Sequence, residues 1–132
     1  MGIQDDDIIY GARITKEIFS SDGCDMLFVN AADTMTIGGK DDDTIVAAPG
    51  NDFVDGGPDD DILLGGGGTD FIAEGLGNDK LFNGAGTSII YDGKGADHFS
   101  CSNSAPSLAR SVVMDYNPTQ GEKISGTCKH VS

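Results

Sequence analysis

The chain has 132 residues, enough for one domain, and is 38% hydrophobic with no Trp, which excludes a large conventional core. Its net charge of −14 makes nucleic acid and anionic membranes poor partners and a divalent cation a good one. No stretch is long and apolar enough to span a membrane.

Taken in order from Gly2, the sequence divides into eleven units of nine residues, with no insertion before Ser100. They are GIQDDDIIY, GARITKEIF, SSDGCDMLF, VNAADTMTI, GGKDDDTIV, AAPGNDFVD, GGPDDDILL, GGGGTDFIA, EGLGNDKLF, NGAGTSIIY and DGKGADHFS. The eighth place reads Ile9, Ile18, Leu27, Thr36, Ile45, Val54, Leu63, Ile72, Leu81, Ile90 and Phe99, apolar at all but Thr36. The sixth place is Asp in eight of the eleven units, and glycine crowds the second and fourth places after Gly38. Gly, Asp and Asn tolerate positive φ, so the first six residues of a unit predict a turn. The last three, rich in Ile, Val, Leu and Phe, predict a short strand. One such strand cannot stand alone, but stacked copies bury their central side chains against each other. The seventh and ninth residues then face outward. Many of these are large and apolar, among them Ile8, Tyr10, Met26, Phe28, Phe53, Ile62, Leu64, Phe71, Ile89 and Tyr91. A face of that kind suits another protein or a second copy of the chain.

The unit resembles the G-G-x-G-x-D-x-U-x nonapeptide of RTX (repeats-in-toxin) calcium-binding proteins, U being a large apolar residue. GGKDDDTIV, GGPDDDILL and EGLGNDKLF fit it best, while VNAADTMTI and GARITKEIF fit poorly. The resemblance implies an all-β fold, a parallel β-roll with two repeats per coil, two short parallel sheets, and calcium held in the turns between coils. It covers residues 2–100, so the chain is expected to comprise a roll over 1–100 and a closing segment over 101–132.

With two units per coil, residues 18 apart stack, and the sixth places fall into two columns. The odd column is Asp7, Asp25, Asp43, Asp61, Asp79 and Asp97; the even column is Lys16, Thr34, Asp52, Asp70 and Ser88. Calcium takes about six to eight oxygens at about 2.3–2.6 Å. Sixth-place carboxylates and turn carbonyls would supply them, giving up to five inter-coil sites on the odd side. The even side supports one full site, between Asp52 and Asp70, and Lys16 would stand in for an ion near the N-terminus. Expected total occupancy is roughly five to eight Ca2+. The turn carbonyls implied are those at Gly39, Gly57, Gly75, Gly77, Gly93 and Gly95 on the odd side, and Gly50, Gly66 and Gly68 on the even side. Asp41 and Asp59, in the Asp triplets of GGKDDDTIV and GGPDDDILL, are added as ligands. Adjacent carboxylates repel by about 4 kcal/mol per close pair at an effective dielectric near 20, which bound cations would relieve.

Past Ser100 the period is lost. "SVVMDYNPTQGEKI" reads as a strand, a turn over Asn117–Gly121 and a short strand, and resembles the capping segment that often follows RTX rolls. A solenoid end leaves strand edges exposed, so a cap is required. Cys101 follows the last repeat and Cys128 lies in the closing segment. A disulfide between them would stabilise by about 3–4 kcal/mol and fit an oxidising setting outside the cell; two buried thiols are the alternative. Cys24 is expected to be unpaired. His98 and His130 have no cysteine partners at zinc spacing and read as surface or packing residues. No nucleophile lies in a strand–turn–helix context, and the glycine runs lack the Lys-Ser/Thr of a phosphate loop. The chain is therefore expected to be a non-enzymatic, calcium-folded roll with a structural or adhesive role, secreted or at the cell surface, although no signal peptide opens it. The alternative is a non-catalytic module of a larger exported protease, lipase or epimerase. A third reading, ice or surface binding, rests on Thr15, Thr69 and Thr87 in the even turns, a row that Asp33 and Asn51 interrupt.

Overall fold

The computed structural model describes residues 4–101, 111–126 and 128–131; Gly2 and Ile3 of the first unit and the side chain of His130 lie outside them. Each nonapeptide contributes one strand. These are β1 (Ile8–Tyr10), β2 (Glu17–Phe19), β3 (Met26–Phe28), β4 (Met35–Ile37), β5 (Thr44–Val46), β6 (Phe53–Pro58), β7 (Ile62–Leu64), β8 (Thr69–Leu76), β9 (Lys80–Phe82), β10 (Thr87–Lys94) and β11 (His98–Ser100). Odd strands form one parallel sheet and even strands the other, so the chain alternates between sheets and completes a coil every two units. The register is that of the sequence repeat: Ile9 pairs with Leu27, Leu27 with Ile45, Ile45 with Leu63, and so on. This is the expected parallel β-roll.

The core is two single-file rows facing each other. Leu27, Ile45, Leu63, Leu81 and Phe99 come from one sheet, and Ile18, Val54, Ile72 and Ile90 from the other. Burial of each such side chain contributes about 1.5–3 kcal/mol, and outside these rows the repeat adds only Val29, Ala47 and Ala48 to the core cluster. Thr36 occupies a core place with its Oγ1 buried and without a hydrogen-bond partner among the described residues, so this coil carries a desolvated hydroxyl. Seventh and ninth residues face out, as expected. Tyr10 stacks on Phe28 with ring centroids 5.0 Å apart, and Phe53 stacks on Phe71 at 5.2 Å.

Strands β6, β8 and β10 exceed the expected three residues because the turns pair as well. Gly57, Gly75 and Gly93 stand in ladder register with each other. Gly75 shows why the second place is glycine: its φ is 106°, and a Cβ there would collide with the carbonyl oxygen of Gly57 one coil below.

The residues past 100 break the period but not the architecture. β12 (Val112–Met114) pairs beside β10 and β13 (Lys123–Ser125) beside β11, while β14 (Lys129–Val131) pairs beside β12. Val113 and Ile124 thereby extend the two inner rows. Between β12 and β13 lies the expected turn, a 3-10 segment Pro118–Gln120. Asn117 caps it by accepting a hydrogen bond from the Thr119 amide, and Gly121 ends it at φ 98°. Cys101 and Cys128 are disulfide-bonded and Cys24 is free and exposed. No described helix is long and apolar enough to cross a membrane.

The inner rows generate two expectations. Leu63→Ala should cost about 2–5 kcal/mol, whereas Thr36→Val should gain about 1 kcal/mol or more by removing the unpaired hydroxyl. Urea unfolding in saturating calcium measures both, and a destabilised Thr36→Val would show that the hydroxyl has a partner. A thiol count on denatured, unreduced protein should find one free cysteine, Cys24.

Candidate metal centre

Each odd sixth-place residue lies just before its strand, which puts the side chains from Asp25 onward inside the roll at the edge of a sheet. Asp25, Asp43, Asp61, Asp79 and Asp97 are all buried, with at most 2% exposure. Their Oδ1 atoms are spoken for. Each accepts a hydrogen bond from the sixth-place amide one coil earlier, from Asp7 N–H to Asp25 through Asp79 N–H to Asp97, all at 2.8 Å. The structure thus brings the whole odd column into one row. The even column is partial: Thr34 N–H donates to Asp52 at 2.8 Å and Asp52 N–H to Asp70 at 3.0 Å. The row then passes to hydroxyls, with Ser88 N–H donating to Ser111 Oγ at 2.9 Å. Lys16 extends its ammonium to the Ala32 carbonyl on this side. Thr34, Asp52 and Asp70 line an open groove of about 500 Å³ with Lys16.

The second oxygens are different. Oδ2 of Asp25, Asp43, Asp61, Asp79, Asp97 and Asp52 is buried and accepts no hydrogen bond from the described residues. A buried, unpaired carboxylate oxygen is costly, and a row of them at coil spacing repels itself. Burial first, and the neighbouring carboxylates after it, push Asp43 and Asp79 up to about 7 and Asp61 to about 8. Burial likewise raises Asp70 to about 6. The space in front of Oδ2 is kept clear by the first place of the unit. A Cβ on Gly38 would stand 2.5 Å from Asp43 Oδ2, and one on Gly56 the same distance from Asp61 Oδ2. Hard carboxylate oxygens, bare of donors and beside an open glycine cradle, fit calcium.

The Asp triplets divide their labour. Fourth-place Asp41 and Asp59 are exposed at positive φ, 73° and 81°, where neighbouring units use glycine. Asp41 accepts from the Gly23 amide and Asp59 from the Asp41 amide. Fifth-place Asp42 and Asp60 reach the opposite way, to the amides of Asp60 and Asn78. Only the sixth place enters the buried row, so the structure does not bring Asp41 and Asp59 together with it. Of the glycines expected to offer carbonyls, Gly39, Gly57, Gly75 and Gly93 stack as one column and Gly77 with Gly95 as another; Gly50 and Gly68 stack on the even side, where Gly66 lies over Ala48.

Four residues at the C-terminal end escaped the sequence reading. Glu74 and Asp92 stand at first places equivalent to Gly38 and Gly56, and both are fully buried. Glu122 precedes β13 as Asp97 precedes β11, so it is the next member of the odd column, and Ser111 is the next of the even one. The signals were an 18-residue column at the first place, and the residue just before each strand.

A parallel solenoid lined at its turns by rows of buried, unpaired carboxylates defines a cation-binding fold. Residues 37–72 and 75–100 match the RTX calcium-binding nonapeptide repeat in four copies, covering the coils where Asp and Gly fill their places most fully. Most of the β-roll is thus built of RTX calcium-binding repeats, a calcium-binding structural fold. No curated protein and no solved structure matches it.

Carboxyls that ionise less readily in the fold than in the unfolded chain stabilise the fold only while protonated. In a chelator, that contribution should be complete below pH about 4 and be lost as pH rises to about 7–8 through Asp43, Asp79 and Asp61. Far-UV circular dichroism should therefore show most strand near pH 4 and least near pH 8, with calcium restoring the signal at pH 8. A chelated chain with a constant spectrum across that range would contradict the expectation.

Proposed function

We propose that this chain is a module that calcium folds and rigidifies, working outside the cell in a structural or adhesive role, with a repeat roll over residues 1–100 and a closing segment over 101–132. The observation that carries the reading is the buried row of Asp25, Asp43, Asp61, Asp79 and Asp97, each with Oδ2 bare of donors among the described residues. Asp7 begins the row, and Asp52 with Asp70 forms its short counterpart. Turn carbonyls of the second- and fourth-place glycines complete the shells, with Asp41 and Asp59 adding negative charge at the rim. Calcium supplies the positive charge that lets carboxylates stack coil on coil. About five ions belong on the odd side and one to three on the even, following the oxygen requirement of Ca2+. The adhesive part of the proposal is supported by exposed rings on the outer strand faces, where Phe71 stands 5.0 Å from Tyr91 and 5.2 Å from Phe53. Stacked aromatics on a stiff sheet suit a protein partner or a second copy of the chain.

Calcium titration followed by circular dichroism should convert a largely disordered chain into a strand-rich one. Asp61→Ala should raise the calcium midpoint by about tenfold, equivalent to ~1.4 kcal/mol, because a central break uncouples the stack. Thr34→Ala should shift it little. Anomalous scattering from calcium-grown crystals should count more ions on the odd edge than on the even one. Equal counts on the two edges would refute the lopsided assignment, and a strand spectrum indifferent to calcium at neutral pH would refute the folding role.

A further inference from the structure

In the odd units up to the seventh the first place is small: Gly2, Ser20, Gly38 and Gly56. The last two regular coils of the odd side depart from it. Glu74 and Asp92 put carboxylates where Gly38 and Gly56 have no side chain. One oxygen from each of Glu74, Asp92 and Asp97 lies within 4.8 Å of the others. Three oxygens that close put an ion at their centre no more than about 2.8 Å from each, so a small inward shift brings all three to the 2.3–2.6 Å of a Ca–O bond. Glu74 has no exposure, and neither of its carboxylate oxygens accepts a hydrogen bond among the described residues; Asp92 is equally buried and has the carboxyls of Asp97 and Glu122 as its side-chain neighbours. Glu122, from the C-terminal segment, brings its carboxyl against that of Asp92. Its own oxygens accept from the Asn117 amide and from Gln120 Nε2, which anchor the 3-10 turn to it.

We propose that Glu74, Asp92 and Asp97 form a separate, side-chain-only cation site that takes Ca2+, and that Glu122 links this ion to the folding of the C-terminal strands. The site rests on the calcium reading above but differs from the turn sites in composition. It draws on three or four carboxylates and needs no turn carbonyls. Higher ligand charge in a preformed, buried cage raises affinity, so this ion is the tightest bound of the set. A hard, all-oxygen set of buried carboxylates favours Ca2+ over Mg2+, which keeps several waters. The ion sits where regular coils give way to irregular ones. It therefore ties β13 to β11 from inside the turn, while the Cys101–Cys128 bond ties the same region through the chain.

The test uses the intact chain, wild type and the double variant Glu74→Gln, Asp92→Asn, in equilibrium dialysis against calcium buffered by chelators over a graded series. Amide hydrogen exchange is read at each step. The wild type should retain one ion after the others have left, with Val113 and Ile124 still protected. The double variant should lose that one ion and that early protection, keep the remaining ions, and keep calcium-dependent protection in β3 to β7. If the double variant does not fold in saturating calcium, Glu74→Gln alone is read by the same ion count, and it should lose the same tight step. An unchanged count and unchanged exchange in the folded variant would overturn the site, as expected of a cluster that merely holds protons. Should the wild type itself bind no calcium, both this site and the calcium reading fall. A wild type that fills its turns but has no tight first ion overturns this site alone.

Discussion

Everything in this molecule depends on the parallel register that sets each residue on its counterpart 18 positions away. In an ordinary domain unlike side chains are brought together, and charges can be paired with opposite charges. Here like lies on like. An apolar residue at the eighth place stacks on apolar residues and makes a core, while a carboxylate at the sixth place stacks on carboxylates and makes a repulsive line. The same rule yields the cohesion and the strain. Backbone amides absorb half of the strain, one Oδ1 per coil. The other half faces inward as the bare Oδ2 row. The protein's own cations do little about it: Lys40 pairs with Asp22 at the exposed rim, and Lys16 is directed to a carbonyl.

This makes the fold conditional on its ions in a way that a well-packed core is not. Each coil contributes few inward apolar side chains, and the long-range ladder hydrogen bonds form only when neighbouring coils are in place. The apolar rows alone must hold a backbone rich in glycine, whose ordering is entropically costly. Neutralising the carboxylates, by protons or by cations, removes the main opposing term. Protons and calcium are thus competitors for the same oxygens.

Much of the fold could be read from the sequence because a repeat states each rule many times over. Strand positions, the two columns, the inward eighth place and the outward aromatics followed from period and phase. What escaped was aperiodic. Gly38, Gly56, Glu74 and Asp92 share a column, but attention to the sixth-place Asp hid a first-place switch from glycine to carboxylate. Glu122 and Ser111 were hidden for a different reason. Beyond Ser100 the coils change length, so counting in nines no longer finds the residue ahead of a strand, although the geometry preserves its role. The longer strands β6, β8 and β10 were missed because glycine turns do not look like strand formers, yet stacking lets them pair.

The unbroken 18-residue step also governs how such a gene can change. Loss or duplication of a whole coil leaves every remaining residue over its proper neighbour, so the roll can lengthen or shorten by recombination without redesign. A change of one nonapeptide is a different event. It exchanges the two edges from that point onward, setting Asp61 and its successors over Thr34 and Asp52 and moving the acidic row to the other side of the molecule. The asymmetry between edges is therefore kept only by changes of two units at a time.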